Sequence, residues 1–541
     1  MNAKVEIPSF EEIVDKAKNY SFKNRDFTSI QNYSKEELDV LIDLALHIKT
    51  NFDEFKSRPF VQQNASKREM AGIDFGEPST RTMMSSLAAA EYLGYNTMIL
   101  KEDGSSSRAK GESLKHQMLM LLGYHLKFMV KREPFEGVPA WFSINRNFLQ
   151  KQRMADGLPI QNVPLINAGD GAHQHPTQTL LDLMTIKEYH GRFDVPIACI
   201  GDNKYSRVVN SLIQVAPKVG IKEMRFVSPE IFQISPQQEM YLRSHGIKYE
   251  KTMDVESALK ESLVAYVTRF QTDRLDEKLR GALEQMIEEL QKNFQITYKR
   301  LEAAHPNLIL MHALPVDRNI KEIADDADFH PKAKHFVQSQ NGLYARMGLM
   351  TMIAGGIESQ EWSAPTYESS AGRLIEMPVT YEKGSKPKNA FIVYEMQDNG
   401  VAIDHIISGS GRHVDRYFNK KLASHMITMG QNMRKKDGTL KDVVKIFNYS
   451  LQEEDINALG LRAGGCTMNV IEKGHVMHKY EPIPGDVLIS LLNCTNSKCI
   501  TNPEYKEGAE TIHRRVGQDP ETKKHLYSCV YCDTFSDRWR D

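Results

Sequence analysis

The segment from Asn167 to Leu183 constrains this chain more than any other, because it joins a glycine-rich turn to a helix. It reads NAGDGAHQHPTQTLLDL. Pro176 can occupy a first helical position, where its missing N–H costs no hydrogen bond. His175 and Gln178 would then lie at the amino end of a helix, where free N–H groups and the helix dipole favour an oxyanion. An ordinary helix cap with a solvent-facing histidine is the alternative interpretation.

A second turn that leads into a helix carries hydroxyl groups and a guanidinium. It is Ser79-Thr80-Arg81-Thr82, and a helix-forming stretch follows from residue 83 to residue 93. Backbone N–H groups, hydroxyls and the arginine fork together suit a phosphate. The chain has no Gly-x-x-x-x-Gly-Lys-Ser/Thr motif, which argues against a nucleoside triphosphate site of the P-loop kind.

Together the two segments resemble the carbamoyl-phosphate signature of the aspartate/ornithine carbamoyltransferase family, Ser-Thr-Arg-Thr with His-Pro-x-Gln. The resemblance implies four catalytic residues, Arg81, Thr82, Arg132 and His175. It implies a larger carbamoyl-phosphate site made of Ser79, Thr80, Arg81, Thr82, Ser106, Lys110, Arg132, His175, Gln178, Leu314 and Pro315. The chain departs from the family pattern at Met83, where arginine is usual, and at Ala313, where proline is commoner.

The stretch from residue 105 to residue 113, SSSRAKGES, resembles the mobile loop of the family. The resemblance implies that Ser106 and Lys110 reach into the site of a neighbouring subunit. We therefore expect a homo-oligomer, a trimer or a multiple of one. An ordinary surface loop is the alternative for a stretch rich in Ser, Gly and Lys.

Two loops indicate what the second substrate is, and each follows an apolar run that predicts a strand. Arg207 lies in the first loop, and Arg269 and Gln271 lie in the second. Strand ends are where α/β sheets bind ligands, and each carboxylate of aspartate is best held by a planar arginine fork. The resemblance implies an aspartate site made of Lys110, Arg207, Arg269 and Gln271. Isolated surface arginines are the alternative.

The ornithine branch of the family has an Asp-x-x-x-Ser-Met-Gly loop and a His-Cys-Leu-Pro cysteine, and this chain has neither. The residues therefore favour a dianionic acceptor. The expected reaction moves the carbamoyl group of carbamoyl phosphate to the α-amino group of L-aspartate, giving N-carbamoyl-L-aspartate and phosphate in de novo pyrimidine biosynthesis.

Four of the six cysteines form two closely spaced pairs near the C-terminus. They are Cys494, Cys499, Cys529 and Cys532. Paired thiolates at these spacings suit a tetrahedral zinc ion with no open position, so we expect one structural zinc per chain. Disulfides are the weaker interpretation for a protein of the cytoplasm.

The second half of the chain resembles the regulatory chain of bacterial aspartate carbamoyltransferase. The likeness lies in IDHI at residues 403–406, in LKDVVKIFN at residues 440–448 and in the cysteine spacing. It implies that an α+β domain binds nucleotides through Asp404, His405, Lys441, Lys445, Asn469 and Lys479. Taken singly, each lysine is also an ordinary solvated surface residue.

The expected fold is α/β, with two doubly wound parallel-sheet domains followed by an α+β domain and a small zinc-binding β domain. The boundaries expected are a carbamoyl-phosphate domain at 1–172, an aspartate domain at 173–358, a linker at 359–373, a nucleotide-binding domain at 374–484 and a zinc domain at 485–541. The linker would fix a one-to-one ratio of the two halves. The charge-rich segment 276–304 is predicted to form an amphipathic helix.

Composition excludes some functions. The chain has 541 residues, a formal net charge of −1 and 26% charged residues, which gives no bulk attraction to nucleic acid. No apolar run approaches the length of a membrane span, and residues 1–6 have no signal-like apolar core. We expect a cytoplasmic protein. Three alternatives stay open: a transcarbamoylase for another amine, a catalytically degenerate nucleotide-sensing scaffold, and a zinc-ribbon protein that binds nucleic acid.

Overall fold

The structure is a computed structural model, and it describes residues 6–101, 110–158, 162–272, 283–379, 399–435, 437–518 and 524–536. The chain divides into two compact units. The first contains Met1–Thr366 with Asn496–Ala509 and Tyr531–Asp533, and the second contains Tyr367–Thr495 with Glu510–Val530 and Thr534–Asp541. Ser106 lies outside the described residues.

The first unit begins with a domain built on a four-stranded parallel sheet, in the order β2-β1-β3-β4. Its strands are β1 (Met70–Phe75), β2 (Asn96–Lys101), β3 (Leu126–Glu133) and β4 (Leu165–Asp170). Its helices are α1 (Phe10–Ala17), α2 (Lys35–Thr50), α3 (Phe52–Lys56), α4 (Pro59–Lys67), α5 (Thr80–Tyr92), α6 (Leu114–Leu121), α7 (Val138–Ala155) and α8 (Pro176–His190).

The second domain of this unit has a five-stranded parallel sheet in the order β7-β6-β5-β8-β9. Its strands are β5 (Ile197–Ile200), β6 (Glu223–Val227), β7 (Lys248–Thr252), β8 (Val264–Val267) and β9 (Ile309–His312). Its helices are α9 (Arg207–Val219), α10 (Pro236–Ser244), α11 (Val255–Glu261), α12 (Leu283–Phe294) and α13 (Tyr298–Ala303). After β9 the chain continues into α14 (His335–Ile353), which packs mainly against α2, α5 and α8 of the first domain.

These two sheets confirm the predicted α/β architecture with parallel strands. All four residues of β5 and of β8 are buried, as expected where helices cover both faces of a parallel sheet. The turn-to-helix transitions are confirmed as well, because α5 begins directly after Ser79 and α8 begins directly after His175. The sequence therefore places both motifs at the carboxyl ends of strands.

The single helix predicted for residues 276–304 is wrong. Residues 276–282 lie outside the described residues, and α12 ends at Phe294. Ile296 then leaves the helix, because its N–H donates to Glu322 O at 2.8 Å and its side chain is fully buried. Thr297 caps α13 through its hydroxyl. A bridge to a distant segment thus breaks the helical pattern.

The second unit contains a six-stranded sheet in the order β10-β15-β14-β11-β13-β12, and every pair in it is antiparallel. The strands are β10 (Arg373–Met377), β11 (Gly400–Ile407), β12 (Ile427–Arg434), β13 (Leu440–Phe447), β14 (Thr467–Glu472) and β15 (His475–Ile483). The helices are α15 (Gly411–Lys421) and α16 (Glu453–Arg462), and they share a buried core with one face of the sheet.

A small antiparallel sheet follows, in the order β16-β17-β18. Its strands are β16 (Val487–Ile489), β17 (Ile512–Gln518) and β18 (His525–Cys529). Among the described residues, every helix is too short or too polar to cross a bilayer.

Candidate functional site

A cavity of about 640 Å³ opens at the carboxyl ends of the two parallel sheets of the first unit. Nearly all of the residues predicted for the two substrates line it: Ser79, Thr80, Arg81, Thr82, Arg132, His175, Gln178, Arg207, Arg269, Gln271, Leu314 and Pro315. Lys110 is the exception among the described predictions, because it is exposed and does not line the cavity.

Two helices begin at this cavity. Ser79 is the N-cap of α5 and His175 is the N-cap of α8, and neither side chain makes a capping hydrogen bond. The N–H groups of a first helical turn have no partner within the helix, and they carry the positive end of its dipole. The start of α5 therefore presents donors to an anion beside the guanidinium of Arg81.

His175 is buried between these helices. Its Nε2 lies 3.3 Å from Thr82 Oγ1, and its Nδ1 lies 3.2 Å from Thr177 Oγ1. Burial, together with the charges of Arg207, Arg132 and Arg346, holds the pKa of His175 well below its usual value. The imidazole is therefore neutral near pH 7 and can donate a hydrogen bond without carrying charge.

Arg132 is fixed by backbone and by a carboxylate. Its Nη1 donates to Ala168 O at 2.9 Å, and its Nη2 lies 2.7 Å from Glu77 Oε2. Burial and Arg207 lower the pKa of Arg132 to about 10, against the opposing effect of Glu77, so the guanidinium stays charged near pH 7. Gly169 allows this approach, because it has a φ of +116° and an added Cβ would lie 2.6 Å from Arg132 Nη1.

Glu77 also contacts the second arginine of the cavity. Arg207 Nη1 lies 3.3 Å from Glu77 Oε2, and it donates to Gly171 O at 2.7 Å. One carboxylate therefore holds Arg132 and Arg207 on the same side of the cavity. Glu77 was not predicted as a site residue, although it comes two residues before Ser79.

Gln178 belongs to a buried polar network behind the cavity wall. Its Nε2 donates to Asp182 Oδ1 at 3.0 Å. Gln338 Nε2 donates to the same oxygen at 2.7 Å, and the Tyr266 hydroxyl donates to Asp182 Oδ2 at 3.0 Å. Burial raises the pKa of Asp182 to about 7, while the three hydrogen bonds oppose that rise.

The turn at Leu314 and Pro315 is tied to the same network. Leu314 N–H donates to His312 Nδ1 at 2.7 Å, and His312 N–H donates to Gln338 Oε1 at 2.8 Å. Burial, with His335 and Arg81 nearby, lowers the pKa of His312 to about 3. A neutral His312 can accept the hydrogen bond that shapes the turn.

Asp202 supports the loop that carries Gln271. The N–H of Gln271 and its side-chain Nε2 each lie 3.3 Å from Asp202 Oδ2. Asp202 Oδ1 accepts from Lys204 N–H at 3.0 Å and from Tyr205 N–H at 2.8 Å. The carboxylate thereby joins the two loops that were predicted to recognise the acceptor.

In the second unit, the six residues predicted for nucleotides come close together on the sheet. In strand register Ala402 pairs with both Lys445 and Asn469, and Asn469 pairs with Lys479. Directly paired residues share one face of a sheet. Asp404 lies on β11 two residues after Ala402, and its Oδ1 is 2.7 Å from Lys441 Nζ.

His405 completes this group. Its Nδ1 lies 3.3 Å from Asp404 Oδ2. Burial lowers the pKa of His405, the carboxylate of Asp404 opposes that fall, and Lys441 and Lys479 add to it. Lys441 and Lys479 are therefore close enough to the imidazole of His405 to lower its pKa.

The four cysteines predicted to bind metal also come together, and their Sγ atoms all lie within 4.8 Å of one another. Cys499, Cys529 and Cys532 are buried, and Cys494 is partly buried. Zinc–sulfur bonds of about 2.3 Å put the sulfurs of a tetrahedral site about 3.8 Å apart, so the cluster fits a metal with four sulfur ligands. Thr501 Oγ1 donates to Cys499 Sγ at 3.3 Å.

Comparisons with known proteins agree with this geometry. The family model of the aspartate/ornithine carbamoyltransferase carbamoyl-phosphate-binding domain matches residues 25–188, and that of the Asp/Orn-binding domain matches residues 194–353. The aspartate carbamoyltransferase catalytic subunit of Clostridium kluyveri is 31% identical over 334 residues, which are 62% of this chain and 99% of that protein. This chain belongs to the aspartate carbamoyltransferase family.

The rest of the chain matches the regulatory part of the same family. The model of the aspartate carbamoyltransferase regulatory chain allosteric domain matches residues 394–482, and that of its metal-binding domain matches residues 486–539. Protein PyrBI of Treponema denticola is 28% identical over 543 residues, covering 96% of this chain and 98% of that protein. This aspartate carbamoyltransferase family member therefore carries catalytic and regulatory parts on one polypeptide.

Solved structures of the family share the fold of the catalytic part. The catalytic subunit of M. jannaschii aspartate transcarbamoylase has 32% identity and a TM-score of 0.51, covering 61% of this chain and 97% of that chain. Trypanosoma cruzi aspartate transcarbamoylase in complex with carbamoyl phosphate has 26% identity and a TM-score of 0.50, covering 61% and 96%.

Proposed function

We propose that this cavity transfers the carbamoyl group of carbamoyl phosphate to the α-amino group of L-aspartate, with the site residues in the roles set out below. Membership of the family makes the chain a carbamoyltransferase, and the acceptor is aspartate in the first steps of pyrimidine synthesis. The residue roles rest on one observation, which is that Arg81, Arg132, Arg207 and Arg269 line the same cavity. We assign Arg81 and Arg132 to carbamoyl phosphate, and Arg207 and Arg269 to aspartate.

The phosphate end is held by the start of α5. Free N–H groups of its first turn, the hydroxyls of Ser79 and Thr80 and the guanidinium of Arg81 all face an anion that must gain charge as it leaves. Charge-assisted hydrogen bonds from arginine to phosphate are short and about twice as strong as neutral ones. This clamp therefore stabilises the leaving phosphate more than the bound carbamoyl phosphate.

The carbonyl oxygen is held by Thr82, Arg132 and His175. Negative charge develops on this oxygen when the neutral α-amino nitrogen attacks the carbonyl carbon. Donors that are already fixed in place stabilise such charge without reorganising. Arg132 is fixed by Ala168 and Glu77, and His175 is neutral, so it donates a proton to a hydrogen bond and keeps it.

The carbamoyl amino group is held by Gln178 and by the turn at Leu314 and Pro315. Arg207, Arg269 and Gln271, which line the same cavity, hold the two carboxylates of aspartate. The bond between the carbonyl carbon and the phosphate oxygen then breaks, and the departing phosphate takes the proton of the amine. Placing both substrates side by side supplies a large share of the rate enhancement.

We propose a trimer, and the position of Lys110 supports it. It is exposed and lies away from the cavity of its own chain, while Lys110 and Ser106 match family residues that serve a neighbouring subunit. We infer that each site takes Lys110 from the next chain. A solution mass that is a multiple of three chains supports this, and an active monomer contradicts it.

The sheet of the second unit is proposed to bind a nucleotide. Lys441, Lys445 and Lys479 supply positive charge for phosphates, and Asn469 offers an amide for a base or ribose. Asn469 Oδ1 is buried and has no hydrogen-bond partner among the described residues, and a buried polar atom of this kind needs a partner. Titration with cytidine and adenosine triphosphates tests this, with Lys479→Ala as the weakened variant.

Zinc is proposed for the four-cysteine cluster. Four thiolate ligands leave no open coordination position on the metal, so the bound ion would be structural. It would hold β18 and the residues around Cys494 in place. Elemental analysis should give one zinc per chain, and Cys529→Ser should lose it.

The acceptor is tested by competition. With carbamoyl phosphate present, aspartate should be consumed and ornithine should not, because the arginines of the cavity suit two carboxylates and repel a second ammonium. Preference for ornithine would overturn the roles of Arg207 and Arg269.

A further inference from the structure

The buried network behind Gln178 contains an ionisable group that the reaction does not use. Asp182, Gln338 and Tyr266 are all fully buried. Asp182 Oδ1 accepts from two amides, Gln178 Nε2 at 3.0 Å and Gln338 Nε2 at 2.7 Å. Asp182 lies four residues after Gln178 on α8, so both side chains are on the same side of that helix.

The backbone sets the direction of these hydrogen bonds. His312 N–H can only donate, and it donates to Gln338 Oε1 at 2.8 Å. An amide has its oxygen and its nitrogen on one carbon, so the other end of Gln338 must be the Nε2 donor. Asp182 Oδ1 must therefore accept, and this holds whether or not the other oxygen carries a proton.

The direction of the hydrogen bond from Gln178 is fixed in the same way. Because Asp182 Oδ1 accepts, the group of Gln178 that faces it is the Nε2 donor, and the remaining polar atom of that amide is Oε1. Gln178 lines the cavity. The site thus offers a hydrogen-bond acceptor where the proposed function places the carbamoyl amino group.

We infer that Asp182 is a specificity-determining positioning residue, which selects a carbamoyl group by fixing the amide of Gln178 with its oxygen toward the substrate. This inference rests on the proposed contact between Gln178 and the carbamoyl group. A carbamoyl NH₂ has two N–H donors to offer, whereas the methyl of an acyl phosphate has none. Turning the amide over would present a donor to a donor.

The network also connects Gln178 to the turn at Leu314 and Pro315, the other group proposed to hold the carbamoyl amino group. Gln338 links Asp182 to His312, and His312 shapes the turn at Leu314. One carboxylate therefore aligns Gln178 and the turn at Leu314 and Pro315. The phosphate clamp of α5 makes no hydrogen bond with Asp182 among the contacts of the described residues, so its affinity should not depend on this carboxylate.

The test compares acetyl phosphate, carbamoyl phosphate and inorganic phosphate at pH 8, where Asp182 is ionised. The measured quantity is the ratio of the Ki of acetyl phosphate to the KM of carbamoyl phosphate. Asp182→Leu removes the acceptor, and we expect that ratio to fall roughly three- to tenfold, the size of one hydrogen bond. The Ki of inorganic phosphate should stay within about twofold, since the clamp is unchanged.

Asp182→Asn is the conservative variant. Its amide oxygen can replace Oδ1, and its Nδ2 can donate to the Tyr266 hydroxyl, so the ratio should stay near that of the wild type. Asp43→Leu is the matched control, because Asp43 is another buried aspartate and pairs with Lys187 away from the cavity. Its ratio should not change.

Other outcomes overturn the inference in distinguishable ways. If Asp182→Leu weakens all three ligands equally, Asp182 only maintains the structure of the site. If Gln178→Ala lowers the ratio and Asp182→Leu does not, the inference fails and the proposed role of Gln178 stands. If Gln178→Ala leaves the ratio unchanged, that proposed role fails as well.

Should Asp182→Leu not fold, Gln338→Met decides. This variant keeps the size of the side chain but removes the link between His312 N–H and Asp182, so the amide of Gln178 loses its fixed direction. A fall in the ratio supports the inference, and an unchanged ratio contradicts it.

Discussion

His173 Nε2 lies 2.9 Å from Asp533 Oδ2, although the two residues are 360 positions apart in the chain. His173 Nδ1 lies 2.8 Å from Asp170 Oδ2, so the ring is held between two carboxylates. Burial would lower the pKa of His173, but Asp170 and Asp533 outweigh it and hold that pKa well above its usual value. The same Asp533 oxygen accepts from Gln174 Nε2 at 2.5 Å. A residue that directly follows the last cysteine thus supports the loop that leads to His175.

Asp533→Ala should therefore impair catalysis even though no atom of Asp533 lines the cavity. Removing Asp533 leaves the buried His173 Nε2 without its acceptor, which costs about 1–3 kcal/mol, while Asp170 still pairs with the other side of the ring. We expect a lower thermal midpoint and a lower kcat, with zinc content unchanged. Glu504→Gln, an exposed change in the neighbouring segment 496–509, is the control. Full activity and full stability in Asp533→Ala would show that the contact between His173 and Asp533 supports neither folding nor catalysis.

Arg81→Ala should lower kcat/KM by about 10²–10³-fold, because a fixed donor to developing charge is worth about 3–4 kcal/mol. Arg81 lines the cavity and is still exposed to solvent, and its partial burial lowers the pKa of its guanidinium. Arg192→Ala removes an exposed arginine far from the cavity and should be neutral. Steady-state rates with both substrates varied provide the measurement. A loss of less than tenfold would remove Arg81 from the phosphate clamp.

Lys110→Ala and Arg269→Ala should each be nearly inactive, yet a mixture of the two should recover activity. If each site takes Lys110 from a neighbour, random reassembly leaves about a quarter of the sites with both residues intact. The two variants are denatured together, refolded and assayed against each variant refolded alone. A mixture no more active than its components would mean that sites are not shared between chains.

Asp182 should make stability depend on pH. Burial raises its pKa from 3.8 to about 7, so the folded carboxyl keeps a proton that the unfolded chain releases above pH 4. The folded state therefore loses stability as pH rises from about 4 to about 7, and the loss is complete above that. Asp182→Asn cannot ionise, so its free energy of unfolding should gain on that of the wild type across this window, by a few kcal/mol.

Urea denaturation of both proteins at several pH values between 4.5 and 8 measures this difference. Asp325→Asn, at an exposed carboxyl, is the control. A difference between Asp182→Asn and the wild type that stays constant with pH would show that the buried carboxyl ionises as freely as in the unfolded chain.

Local sequence signals predicted the parts of the site that depend on local structure. Pro176 at the first helical position and the hydroxyl-rich turn before Thr80 located the two helix starts, and apolar runs located the strands that end at the cavity. Glu77, Asp182 and Asp533 were missed for one reason. Each has a contact with a residue far along the chain, namely Arg132, Gln338 and His173 respectively, and periodicity carries no information about such pairs.

The segment 276–304 shows the same limit in the fold. Its apolar spacing is helical, but the bridge from Ile296 to Glu322 stops the helix. A local signal was present, since Thr297 is a good N-cap residue, and a polar cap inside a helical pattern could have indicated a new start. The hydrogen bond from Ile296 to Glu322 then shows why the helix stops before Thr297 and a new one begins.

The most direct test of the proposed reaction is product formation by the purified chain. Carbamoyl phosphate labelled with ¹³C at the carbonyl is mixed with L-aspartate, and the reaction is followed by NMR alongside the release of phosphate. We predict one equivalent of N-carbamoyl-L-aspartate per phosphate, no carbamoyl product with ornithine, and loss of both signals in Arg269→Ala. Carbamoylation of ornithine in preference to aspartate, or an Arg269→Ala variant that keeps its full rate with aspartate, would contradict the proposed reaction.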